Sequence, residues 1–381
     1  MKRLTSKTNM RRRYSVALVI CLGILAPMFS SGVANAKTTK VKCKSMKTMT
    51  YATRTQPSDP LLAYWTVADK MGYFAQECIK SQVIHLDAGE QAVEAGQVAL
   101  TVSGADVMLR RLATENGKPS LIAFFAQVPR THLRMATLAD SPINSLQDMR
   151  GKTIATLSNA FSGTLALKSQ LKLLGIDPEK DVKIVVIPAG PAAINALVKG
   201  DVDVLNYVDS QVVQFEQLLG KKLKIIPPLP AVADSLGPVW VTRAADFQKN
   251  KKVLTGYIRA YLKAYLFLNT NIRAATAIEI KAYPDLVQAG HQSEEEAINA
   301  LSQVIASRNQ SSQLPPISEK WATPRIVGWS YVHSWQSMLS LFPDIPASTD
   351  VSAAFTNELI KAASVFDRAP VIKAAKNYKI N

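Results

Sequence analysis

Residues 153–205 read TIATLSNAFSGTLALKSQLKLLGIDPEKDVKIVVIPAGPAAINALVKGDVDVL, and this stretch decides the fold. Thr153–Leu157 is a short apolar run with strand character. From Ser162 to Leu174 the apolar positions Leu167, Leu171 and Leu174 fall on one helical face, Lys168 and Lys172 point away, and Gly175 ends the pattern. Val182–Ile187 is a second strand, Ala192–Val198 a second helix, Gly200-Asp201 a turn, and Val202–Leu205 a third strand. Strands alternating with helices in this way imply a mainly parallel sheet with helical crossovers.

The same alternation extends outward. Toward the C-terminus, Gln211–Leu219 is a helix and Leu223–Ile226 a strand. Toward the N-terminus lies a second unit: the strand Thr48–Ala52, a helix opened by Pro60 and closed by Gly72, the strand Gln82–Leu86, and a short helix at Gly89–Ala95. Then come the strand Val98–Ser103, a helix from Gly104 to about Glu115, and the strand Leu121–Gln127. After Pro227-Pro228-Leu229-Pro230 the strand Val239–Thr242 is followed by helical sequence. Helices are expected from Asn250 onward, at Ser293–Ser307, at Pro324–Met338 and at Val351–Phe366. The pattern predicts an α/β protein of two βαβ-type lobes with a helical C-terminal region. Residues 37–130 and 236–381 form lobe 1 and residues 131–235 form lobe 2. The chain crosses between them near Gln127–Arg134 and Pro228–Gly237.

Residues 1–36 have the organisation of a secretory signal peptide: a basic head (Lys2, Arg3, Lys7, Arg11, Arg12, Arg13), an apolar run from Val16 to Phe29, and Ala34-Asn35-Ala36 as the cleavage site, with cleavage after Ala36. The run is shorter than the roughly 20 residues a bilayer-spanning helix needs. A periplasmic location is therefore expected. Residues 1–36 hold six basic residues and no acid, so the chain's net charge of +16 falls to +10 on cleavage. That charge suits an anionic ligand, an anionic surface or solubility. The basic residues are scattered and carry no aromatic-and-basic motif, which argues against a nucleic-acid partner. Cys43 and Cys78 remain after cleavage, each just before a predicted strand. In an oxidising compartment they form a disulfide if those strands are parallel neighbours, and otherwise stand as two buried thiols.

Signatures of catalysis are few. His85, His132, His291 and His333 lack metal-ligand spacing, so no metal is expected. No Gly-x-Ser-x-Gly elbow, phosphate-cradling loop or dinucleotide fingerprint occurs, so no cofactor is expected. The ends of the strands are more informative, because open parallel sheets bind ligands beyond their carboxyl edges. Those ends carry Arg54 and Gln56, then Ser103, Gly104 and Ala105, then Ser158 with Ser162, Gly163 and Thr164, and finally Asn206 and Asp209. Two of these groups open helices. A helix start presents unpaired N–H groups and a partial positive charge to an anionic oxygen, although Ser and Thr at such positions more often simply cap the helix. Arg54 and Arg130 are candidate cations. Tyr51, Trp65 and Trp240 are candidate walls, with Trp65 better read as core.

Several of these segments, in order, resemble the sulfonate, nitrate and taurine type of ABC-importer binding proteins, a broad family that includes binders of thiamine-pyrimidine precursors. They are Met71-Gly72-Tyr73-Phe74, the stretch from Asp140-Ser141-Pro142-Ile143 to Asp148-Met149-Arg150-Gly151-Lys152-Thr153-Ile154-Ala155, Ser162-Gly163-Thr164 with Leu173-Leu174-Gly175-Ile176, and Ala192 through Asp203. The agreement runs from about Lys47 to Arg243. It departs at Asp87–Gln97, which is short, and in the long tail after Pro284. The resemblance implies a type II periplasmic-binding fold with a hinged cleft. It also implies a monomer that delivers a small anionic or heteroaromatic solute to a membrane permease driven by an ATPase. The strand-end residues above fall on that family's site positions. A desulfinase or pyrimidine synthase on the same fold, or a sensor presenting its closed form to a receptor, are the competing expectations.

Overall fold

The structure is a computed structural model that describes residues 43–54, 56, 59–159, 161–288, 293–313 and 324–380. The expected signal segment, Thr55, Ser58 and His291 lie outside the described residues.

The first sheet has the order β2-β1-β3-β10-β4. Its strands are β1 (Lys47–Thr53), β2 (Ile79–His85), β3 (Leu100–Ser103), β4 (Leu121–Ala126) and β10 (Val239–Arg243). β1 runs parallel to β2 and β3, whereas β10 is antiparallel to both its neighbours. The connecting helices are α1 (Ala63–Lys70), α2 (Tyr73–Gln76), α3 (Gly89–Glu94) and α4 (Ala105–Thr114). The second sheet, β7-β6-β8-β5-β9, is built from β5 (Leu133–Thr137), β6 (Thr153–Thr156), β7 (Lys183–Val186), β8 (Val204–Val208) and β9 (Lys224–Ile226). Here β6, β7 and β8 are parallel, and β5 runs antiparallel between β8 and β9. Its helices are α5 (Ser162–Leu173), α6 (Pro191–Lys199) and α7 (Asp209–Leu219). Gly200 takes the left-handed conformation that closes α6, at φ +78°, which any β-carbon would strain.

The chain passes between the sheets at two places that pair with each other. The N–H of Gly237 donates to the carbonyl of Val128 at 2.9 Å, and the N–H of Val128 donates to the carbonyl of Pro238 at 3.3 Å. A β-carbon at Gly237 would stand 2.7 Å from Nδ1 of His132, so only glycine lets the two crossings approach this closely. Between β9 and β10 lies the short α8 (Pro230–Ala233).

The remaining helices are α9 (Ala244–Thr270), α10 (Ile272–Ala282), α11 (Asp285–Gln288), α12 (Glu294–Ser312), α13 (Val332–Leu339), α14 (Ile360–Ala363) and α15 (Ala369–Lys376). α9 packs its apolar stripe, including Leu254, Tyr257, Ile258, Tyr261 and Leu268, against the first sheet. Tyr51, Trp65 and Trp240 are fully buried there, with Tyr51 stacked on Trp65 at 4.6 Å between ring centroids. These aromatics are core.

Two expected helices are interrupted. The pattern at Val351–Phe366 gives a 3₁₀ turn at Val351–Ala354, an extended Phe355, and α14. Phe355 forms a bridge with Ala123, and the N–H of Thr356 donates to the Ala123 carbonyl. At 324–338 only Val332–Leu339 is helical, because the Gly328 carbonyl accepts the N–H of Ala126. Both segments cover the open edge of β4, and pairing an edge strand outweighs the local helical pattern. Among the described residues no helix is long and apolar enough to cross a membrane.

Candidate functional site

The carboxyl ends of β1 and β3 meet at a residue the loop reading did not single out. Ser103 donates to Oε1 of Glu90 at 3.0 Å, and Arg54 donates from Nη2 to Oε2 of the same carboxylate at 2.9 Å and from Nε to the Asp87 carbonyl at 3.1 Å. Glu90 is buried in the first turn of α3, where the adjacent Gly89 lies against Thr101. Arg54 is thus oriented by Glu90 while its side chain stays half exposed.

The start of α4 faces the start of α5. Gly104 precedes α4 and Ala105 opens it, and a β-carbon at Gly104 would stand 3.5 Å from the hydroxyl of Ser162. That hydroxyl donates to Oδ1 of Asp106 at 3.3 Å. Asp106 is only 4% exposed, and burial raises its pKa above the usual carboxylate range despite the Ser162 hydrogen bond. Neither helix is capped by a serine or threonine side chain: Ser103 serves Glu90, and Ser162 serves Asp106. Behind the two starts, Leu165 and Ala166 of α5 share one apolar cluster with Ala105, Met108 and Leu109 of α4.

The second-sheet residues form a chain of their own. Thr164 donates to the Ser158 carbonyl at 2.8 Å and pairs with the Thr156 hydroxyl, which also accepts from Asn206 at 3.4 Å. Asn206 lies inside β8, which runs on to Val208, rather than in the loop after it, because it is buried between neighbouring strands. Gly163 and Asn206, with Arg134 and Gln170, line a cavity of about 200 Å³ between α5 and the strands β5 and β9. Phe161 packs on Gly163, where a β-carbon would clash with its ring. Gln56 is exposed, and its carbonyl accepts the Asp59 N–H; among the described residues it makes no hydrogen bond to the other candidate residues.

Asp209 stands in a different environment. It opens α7, and its Oδ1 accepts from Nε of Arg308 in α12 at 3.0 Å. Burial, the largest single influence, would raise its pKa, but Arg308 and the other groups around the carboxylate, among them the Ser311 hydroxyl and the Ser210 N–H, together outweigh it and the net shift is downward. His132 adjoins this pair, and burial, reinforced by Arg308, pushes it down to about 3, so it is neutral at physiological pH. Arg134 donates to Ser311 at 3.3 Å and Arg130 to the Gln310 carbonyl at 3.3 Å, both in α12. Arg130 is therefore engaged by this helix. The same helix accepts from Gln217 of α7 and from Tyr64 of α1, so α12 joins both sheets' helices.

Cys43 and Cys78 form a disulfide at the amino ends of β1 and β2, opposite the edge that carries the candidate site. Among the described residues no cluster of three metal-ligating side chains occurs. Glu90, Asp106 and Arg308 were not among the sequence-derived candidates. An acid in the first turn of a helix reads as a favourable dipole contact, and Arg308 comes from a helix a hundred residues distant in sequence.

Two sheets of this strand order, each sending its parallel strands' carboxyl ends to helix starts that meet across the crossings, define the periplasmic binding protein fold. The chain belongs to the NMT1/THI5 like family, whose model matches residues 60–274. Among solved structures it is similar to the periplasmic aliphatic sulphonate binding protein SsuA from Escherichia coli, at 14% identity and a TM-score of 0.55 over 81% of this chain and 92% of that one. It is also similar to the periplasmic nitrate-binding protein NrtA from Synechocystis PCC 6803, at 12% identity and a TM-score of 0.54 over 84% and 88% of the two chains. A DszB variant in complex with biphenyl-2-sulfinic acid matches at 15% identity and a TM-score of 0.53, over 83% and 98%. No curated protein matches the sequence.

Proposed function

We propose that the chain is an extracytoplasmic solute-binding protein, which captures a small solute between its two lobes and delivers it to an ABC permease. On this reading residues 37–130 and 236–381 form one lobe, residues 131–235 form the other, and the exported chain starts at Lys37 and acts as a monomer. The observation that carries the proposal is the meeting of the α4 and α5 starts, where Gly104, Asp106 and Ser162 come from different sheets. A solute held there touches both lobes at once. Differential contact of that kind is what drives closure on a ligand. Arg54, Gln56, Ser103, Ala105, Ser158, Gly163, Thr164, Asn206 and Asp209 complete the proposed site, some by contact and some by holding the loops in place. Membership of the family supports this reading, as do the sulphonate- and nitrate-binding proteins among the chains of similar fold.

The chain acts on this reading without catalysis. The fold likeness to DszB brings the enzyme alternative with it. Against a cysteine-based mechanism, Cys43 and Cys78 are bonded to each other and lie at the opposite ends of the strands. A thermal-shift and calorimetric panel of sulfonates, nitrate, pyrimidines, aromatic acids and amines is expected to yield a binder. Replacing Gly163 by leucine, which drives into Phe161, is expected to abolish that binding while the protein remains folded. Turnover of a panel member, or full affinity in the Gly163→Leu protein, would contradict the proposal.

A further inference from the structure

Three buried acids lie at or near the carboxyl edges of the sheets, and they differ in their partners. Glu90 is paired with Arg54, and Asp209 with Arg308. Asp106 forms no ion pair among the described residues. Arg110, one turn further along its helix, is paired with Asp344 and acts on Asp106 only as a charge that forms no ion pair with it. What Asp106 has is a hydroxyl from the opposite lobe, Ser162, together with the backbone N–H groups of Asp106 and Val107 at its own helix start. The carboxylate therefore sits at the α4 start, where an anionic ligand oxygen would otherwise go. It takes the favourable end of the helix dipole for itself.

Building on the solute-binding reading, we infer that Asp106 sets the sign of the ligand: the group a solute turns toward the α4 start is a hydrogen-bond donor, best a protonated amine, and anions are refused there. A solute that opens the Ser162–Asp106 contact leaves a buried carboxylate to be satisfied. An ammonium group replaces the lost hydrogen bond with a charge-assisted one and places a cation in contact with the carboxylate. A sulfonate or nitrate oxygen at the same point brings a second negative charge into a site screened from water. Asp106 is in this sense a specificity-determining residue, and it makes the start of α4 unlike the start of α5, whose first turn contains no acid.

Matched solute pairs test this by calorimetry on the purified protein: propylamine against propanesulfonate, and benzylamine against benzenesulfonate. In at least one pair the amine is expected to bind ten times or more tighter than the sulfonate. The Asp106→Asn substitution is expected to weaken the amine at least tenfold and to strengthen the sulfonate. Tighter binding of the sulfonates by the unaltered protein, or an amine affinity unchanged in Asp106→Asn, would overturn the inference and leave solute capture standing. Absence of binding by both pairs and by the wider panel would overturn solute capture and this inference together. The preference of the unaltered protein is a sufficient test if the variant does not fold.

Discussion

Glu279 of α10 is fully buried beneath α1, and burial pushes its carboxyl up to about 8, with Asp59 adding to the rise. The ordinary value is near 4.5. Between these two values the folded chain keeps a proton that the unfolded chain releases. Stability therefore falls as pH rises through this window, by up to about 1.4 kcal/mol per unit. Below pH 4.5 both states hold the proton, and above pH 8 the loss levels off. The Glu279→Gln protein carries no such proton. Its stability relative to the parent is expected to grow from pH 5 to pH 8, as read by urea denaturation at several pH values. A difference that does not vary with pH would contradict the assignment.

At the scale of elements, α12 is the piece least visible in the sequence and the one that ties the lobes. Arg308 reaches Asp209 at the start of α7, while Asn309 and Ser302 engage the helices of the first lobe through Tyr64 and Thr276. Removing one member of a buried pair leaves the other charge uncompensated and costs about 3 kcal/mol or more. Arg308→Ala is expected to lose that much in chemical denaturation, and a loss below about 1 kcal/mol would show that Arg134 or solvent takes over the charge. The other elements were legible to different degrees. α5, α6 and α9 could be read because their apolar positions recur at helical spacing and glycines close α6 and follow α5. β5 could not, because Leu133-Arg134-Met135-Ala136-Thr137 is short and its Arg134 turns to the Thr131 carbonyl and Ser311. The helix expected at Val351–Phe366 failed because Phe355 pairs with a strand edge more than two hundred residues away, which no local pattern encodes. The candidate site divides the same way. Ser103, Gly104 and Ser162 could be found from strand ends. Glu90 and Asp106 accept the hydroxyls of Ser103 and Ser162, and they became visible only when the loops were brought together.

For the whole molecule, the topology accounts for the proposed site. Two crossings bound back to back at Val128 and Gly237 put the carboxyl edges of both sheets on a common boundary. The helices that start there present Gly104 and Ser162 to each other. On the proposed function a solute in this position contacts the backbone of both lobes. Amide hydrogen exchange, with and without a saturating amount of the best-binding panel solute, measures this most directly. The account predicts slowed exchange at residues 104–108 and at residues 162–166 together. Protection at one of these segments alone, or only at a site remote from both, would contradict it.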